Sequence, residues 1–87
     1  MNVTGLTPHH IALKRPLLVL RGKNGLLASS HLNVEAFDQT HEAVAIVAGA
    51  RCFTDMLQAT VTKVSRAGEQ IGLHPGMTGA QALDVIR

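Results

Sequence analysis

The eight residues from Ala43 to Ala50 constrain the fold most. Ala43-Val44-Ala45-Ile46-Val47-Ala48 is continuous, apolar and rich in β-branched side chains. A short apolar run with no polar alternation suits a strand covered on both faces. Gly49 ends it. The run falls far short of the roughly 20 apolar residues that a bilayer span needs, so no membrane partner is expected. Pro16 to Leu20 is too short and too late for a signal-peptide core.

Other segments fall into place around this strand. Leu17-Leu18-Val19-Leu20-Arg21 reads as a strand, and Leu26-Leu27-Ala28-Ser29 as its partner. Asn24-Gly25 between them predicts a hairpin with these two residues at the tip, because both turn positions favour positive φ. His9 to Lys14 alternates weakly and reads as a first strand, which Pro16 interrupts, so that it lies at an edge or ends there. Met1 to Pro8 reads as a flexible start. Asn33 is a suitable N-cap for a short helix over Val34 to Thr40, with Val34, Phe37 and Ala36 facing inward.

Further on, Thr54 and Asp55 begin a helical segment containing Met56 and Leu57. Val61, Val64, Ala67, Gly68 and Ile71 recur at spacings of three and four, which predicts a longer helix from Thr60 to Ile71. Gly72 suits the left-handed C′ position after it. Leu73-His74-Pro75-Gly76-Met77 is a turn. Thr78 and Gln81 have capping-box spacing, and Met77 is placed to act as a hydrophobic staple. Ala82, Leu83 and Ile86 give the last helix its apolar face. The expected class is α+β: a small sheet with a hairpin and a central apolar strand, packed by short helices, with a C-terminal helix-turn-helix.

The chain has 87 residues, which allows one domain over 1–87. Apolar residues make up 46% and charged residues 16%, against a usual charged share of about 25%. There is no Trp or Tyr, and only Phe37 and Phe53 are aromatic, so the core must be aliphatic. So few charges leave apolar surface uncovered, which argues for a homo-oligomer. The net charge of +2 does not by itself imply a polyanion partner. Cys52 is the single cysteine, so no intrachain disulfide forms, and a reducing, cytoplasmic location is expected.

The order of motifs resembles the YunC-like family of domains of unknown function. Leu17 to Gly25 is similar to that family's hairpin, and Leu32-Asn33-Val34-Glu35 to the helix start that follows. Ala45-Ile46-Val47-Ala48-Gly49-Ala50 resembles the central strand and its Gly. Thr54-Asp55-Met56-Leu57-Gln58-Ala59 resembles a short "DDLL" helix. Gly72 to Leu83 resembles the closing Gly-Met-x-Gly-x-x-Ala-Leu signature. The likeness runs over about residues 13 to 86. It implies a compact α+β fold and a homo-oligomer, and no particular activity. Two positions depart from the family. Ser29-Ser30-His31 stands where a Cys-Gly-Tyr is common, which removes any thiol chemistry there. Ala48 stands where an Arg is frequent, so an anion at this point would depend on Arg51.

Candidate sites are few. Cys52 has no nucleophile-elbow signature around it and reads as a half-buried small residue beside Phe53. The five histidines, His9, His10, His31, His41 and His74, show no paired metal-ligand spacing, so no metal and no cofactor is expected. Asp55 near a helix start is accounted for by the helix dipole. Lys14, Arg15, Arg21 and Lys23 make the first hairpin basic. Without stacking aromatics they read as guards on a strand edge, and nucleic acid is not an expected partner.

The junction from Gly49 to Asp55 carries most interest. A strand ends in Gly and leads into a helix with Thr54 at its cap, where backbone N–H groups and Arg51 would favour a small anion. Ser29, Ser30, His31 and Asn33 form a second polar cluster at the hairpin exit. The leading reading is therefore a self-associating domain of uncharacterised activity, binding a small anionic ligand or a protein partner through Gly49, Arg51, Thr54, Ser29, His31 and Asn33. One alternative is an enzyme with a site shared between subunits, using Arg51, His31 and Cys52. Another is a nucleic-acid accessory protein acting through the basic hairpin.

Overall fold

The computed structural model of the chain describes residues 6–14, 16–29 and 34–87. In chain order its elements are β1 (Thr7–Ile11), β2 (Leu17–Arg21), β3 (Leu26–Ser29), α1 (Val34–Thr40), β4 (Val44–Val47), α2 (Phe53–Gln58), β5 (Val61–Val64), α3 (Arg66–Gln70) and α4 (Gly79–Ile86). The sheet order follows the chain, β1-β2-β3-β4-β5. Neighbours are antiparallel except β3 and β4, which are parallel and are joined by a crossover through α1. This is the expected small α+β sheet with its hairpin and its C-terminal helices.

All four residues of β4 are buried. Alternation along the strand sends Ala45 and Val47 to the main cluster, with Leu18, Leu20, Leu27, Met56, Val61, Leu83 and Ile86. Val44 and Ile46 point the other way and pack with Ala28 against Val34 and Phe37 of α1. Both faces of the central strand are thus covered, one by α1 and the other by the α2 and α4 layer.

The closing segment follows its local chemistry. Gly72 has φ of 106°. Gly72 N–H donates to the Glu69 carbonyl at 3.2 Å and Leu73 N–H to Gly68 at 2.9 Å, the two bonds of a Schellman motif. Thr78 caps α4: its Oγ1 accepts from Gln81 N–H at 3.2 Å while Gln81 Oε1 accepts from Thr78 N–H at 2.9 Å. Met77 is buried in the main cluster alongside Ala82.

Several expectations need correction. Thr60 to Ile71 is not one helix. Val61–Val64 is a strand, and only Arg66–Gln70 is helical. A register shift between Ile46 and Val47 bulges β5, so that Val61 pairs with Val47 and Val64 with Ala45. The bulge lets Val61 and Val64, three residues apart, both reach the main core. A spacing of three therefore mimics a helical face. Ile71 is exposed rather than facing inward. The first strand begins at Thr7, and Leu6 before it is buried, where a flexible start was expected. Residues 1–5 lie outside the described residues. Ala36 is exposed. Asn33, the expected cap of α1, is also outside the described residues.

Candidate functional site

Parallel pairing decides where Ser29 and the Gly49 junction lie relative to each other. In the β3–β4 register Ser29 is opposite Val47. Ser29 and Val47 therefore end their strands side by side, at the C-terminal ends of the one parallel strand pair among the described residues. In sheets with parallel strands, this is the end at which ligands are commonly held.

Ser29 itself is buried. Its Oγ accepts a hydrogen bond from Leu18 N–H at 3.2 Å, so the hydroxyl completes the β2–β3 ladder. Ser30, His31 and Asn33 lie outside the described residues. On the other strand, Gly49 has φ of 77° and turns the chain away from the sheet. Gly49, Arg51, Cys52 and Thr54 are all exposed.

The helix start differs from the sequence expectation. Cys52, in extended conformation, is the N-cap of α2, with no side-chain cap bond. Thr54 lies inside the first turn and does not cap. Asp55 Oδ2 instead accepts from Arg51 N–H at 3.2 Å. The chain's own carboxylate thus meets the partial positive charge of this short helix. Cys52 is exposed, where a half-buried position was expected.

A further residue reaches this end from β1. His10 pairs with Leu18, and Leu18 belongs to the main core. His10 therefore stands on the α2 side of the sheet. Its ring meets Phe53 edge-on, with centroids 6.3 Å apart and planes at 79°, a favourable aromatic geometry. Phe53 adjoins Cys52, so one imidazole, one thiol and one guanidinium occupy neighbouring stretches of surface. Sequence reading could not find His10 here, because its place depends on strand register across the whole sheet. Among the described residues no three of His, Cys, Asp and Glu gather as a metal site.

The fold defines a small α+β domain with, among the described residues, one parallel strand pair and an exposed polar stretch from Gly49 to Asp55 beyond it. The chain belongs to the family described as domain of unknown function DUF1805, which it matches over residues 30–86. Among solved structures it is similar to a protein of unknown function, TA1206 from Thermoplasma acidophilum. The TM-score is 0.82 and the identity 22%, over 94% of this chain and 93% of that one. This likeness shows the shared fold. No match is found among curated proteins.

Proposed function

We propose that the chain is a self-associating binding domain, in which a second copy covers the outer face of β1 and β2. One observation carries this reading: all five residues of β1 are exposed, although β1 is part of a five-stranded sheet. Ile11 and Leu13 each keep 53% of their surface in solvent. Ile11 lies directly opposite Leu17, so the two share one face of the sheet. The likeness to YunC-like domains supports the same reading. A cytoplasmic location belongs to this proposal, supported by the lone thiol; among the described residues no helix is long and apolar enough to cross a membrane.

The C-terminal end of β3 and β4 is the proposed ligand end. Arg51 supplies its charge, Gly49 its turn and Thr54 its polar rim, and His31 and Asn33 belong to the same proposed set. A small anion fits this set better than an extended nucleic acid, since no exposed Phe, Tyr or Trp accompanies it among the described residues. Light scattering at high micromolar concentration should give an oligomer, and a clean monomer would overturn the self-association. Thermal-shift screening with small carboxylates should raise the melting temperature of the native chain. An unchanged shift in Arg51→Ala would remove the ligand assignment.

The exposure of Cys52 next to Phe53 and His10 favours a second reading, an enzyme whose site is completed by another subunit. Activated thiolates are alkylated faster than free cysteine at neutral pH. An iodoacetamide rate no higher than that of free cysteine would reject it.

A further inference from the structure

The opposite end of the same strand pair holds a concavity of ≈ 260 Å³. Its two walls are the β2–β3 turn, Arg21 to Leu26, and the α1–β4 turn, His41 to Ala43. Two of the basic residues assigned to the hairpin lie here: Arg21 and Lys23 flank the cleft on an inner strand's turn and guard no sheet edge. His41 joins them from the other wall.

Both walls are fixed by the backbone. In the hairpin turn, Gly22 N–H donates to the Gly25 carbonyl at 2.8 Å, and Asn24 N–H to the Ile86 carbonyl at 2.8 Å. Leu26 N–H donates to Ala43 at 2.9 Å and ties one wall to the other. In the second wall His41 has φ of 59°. His41 N–H donates to Asp38 and Glu42 N–H to Phe37, which closes α1 with His41 at the left-handed position. Ser65 Oγ–H donates to the Glu42 carbonyl at 2.7 Å and holds that turn to the core.

The frame is therefore rigid, while the charges on it are unspent. Among the described residues, no hydrogen bond or ion pair engages the side chains of Arg21, Lys23 or His41. The one carboxylate in the cleft, Glu42, already accepts from Thr40 Oγ1–H at 2.8 Å through Oε1. Two permanent cations and an imidazole thus face one partly engaged carboxylate across a preformed gap.

We propose that this cleft binds a phosphate dianion, free or as the terminal group of a small molecule, through Arg21, Lys23 and His41. Arg presents a planar fork suited to phosphate oxygens and Lys a point charge. The volume lies below the ~300–1,000 Å³ of drug-sized pockets, which suits a small polar head group. No Phe, Tyr or Trp lines the cleft, so it lacks the large aromatic platform on which nucleic-acid bases usually stack. This inference is independent of the ligand proposed at the other end of β3 and β4.

The test is a backbone amide NMR titration of the full chain with inorganic phosphate, and in parallel with glycerol 3-phosphate, at ionic strength held constant with sodium chloride. Saturable shifts should map to residues 22–25 and 41–43. Tighter binding of the ester identifies a terminal phosphate, and tighter binding of inorganic phosphate identifies the free ion; either supports the site. Arg21→Ala and Lys23→Ala, both at exposed positions, should each weaken binding about tenfold, the loss of a charge-assisted hydrogen bond. His41→Asn keeps a residue that tolerates the left-handed turn and should also weaken binding. Glu42→Gln should tighten it, by about threefold for a solvent-exposed repulsion. The proposal is overturned by an absence of saturable shifts, or by shifts confined to 49–55. Equal shifts at Lys14, Lys63 and Arg66, unchanged affinity in the Arg21 and Lys23 variants, or an oligonucleotide binding far more tightly through them would overturn it too.

Discussion

Ser65 shows how much one small side chain can organise. It is fully buried. Its Oγ accepts from Val44 N–H at 2.9 Å and from Gly68 N–H at 3.2 Å, and donates to the Glu42 carbonyl at 2.7 Å. Those bonds use every hydrogen-bonding capacity of a hydroxyl. They join β4, the cap of α3 and the α1–β4 turn at one point. Ser65→Ala strands two buried amides in exchange for a methyl group. It should cost about 2–3 kcal/mol, measured as a lower urea midpoint with unchanged m-value. Nothing in the sequence around Ser65 announces this, since its partners lie more than twenty residues away on the β4 side. The exposure of Cys52 is hidden in the sequence for a local reason. Its neighbour Phe53 is apolar, but α2 starts there, and that leaves the cap residue in solvent. Thr78 and Gln81 were legible because a capping box is written within four consecutive residues. Thr78→Ala should cost about 1 kcal/mol by the same urea measurement.

The elements divide along the same line between local and distant causes. β4, α1 and α4 were readable because their patterns are continuous in the chain. The hairpin was readable too, yet for a different physical reason from the one its Asn-Gly suggests. Among the described residues, positive φ falls at His41, Gly49, Gly72 and Gly76, and at neither Asn24 nor Gly25. The strands pair last at Arg21 and Leu26, which leaves a four-residue connection, Gly22 to Gly25. Its glycines answer to close approach: a side chain on Gly22 would meet the Ile86 carbonyl, and one on Gly25 the Ala43 carbonyl at 2.7 Å. Gly79 is the same kind of position between α2 and α4, since a Cβ there would run into the Met56 carbonyl oxygen. Gly72 has nothing within 4 Å but a left-handed backbone. The two should separate experimentally. Gly72→Ala should cost about 1–2 kcal/mol of conformational strain. Gly79→Ala should cost more, about 3 kcal/mol or above, because backbone must move against backbone. Equal losses in urea denaturation would mean that the α2–α4 contact yields more easily than its geometry implies.

At the scale of the molecule, the two edges of the sheet are treated differently. Beside β5, Val61 N–H donates to the Met77 carbonyl and Gly76 N–H to Val61, both at 2.8 Å. Thr60 and Thr78 form a further bridge. The segment before α4 thus closes that edge. β1 has no such cover among the described residues, and every residue in it is exposed. Pro8 removes one ladder donor from β1, which discourages strand-to-strand extension along the open edge. The face is the better contact. Val19 lies on it, packed beside Ala28, Val44 and Ile46, and by register Ile11 and Leu17 continue that face outward beyond α1. Fully burying an Ile or Leu contributes about 1.5–3 kcal/mol, so a half-exposed Ile11 retains roughly half of that for an interface. A symmetric contact uses each such residue twice. Ile11→Asp combined with Leu17→Asp places charges on this face and leaves the main cluster of Leu18, Leu20 and Leu27 untouched. The variant should keep its far-ultraviolet circular dichroism while its mass by light scattering falls to that of a monomer. A native oligomer that survives both charges would move the interface elsewhere on the molecule.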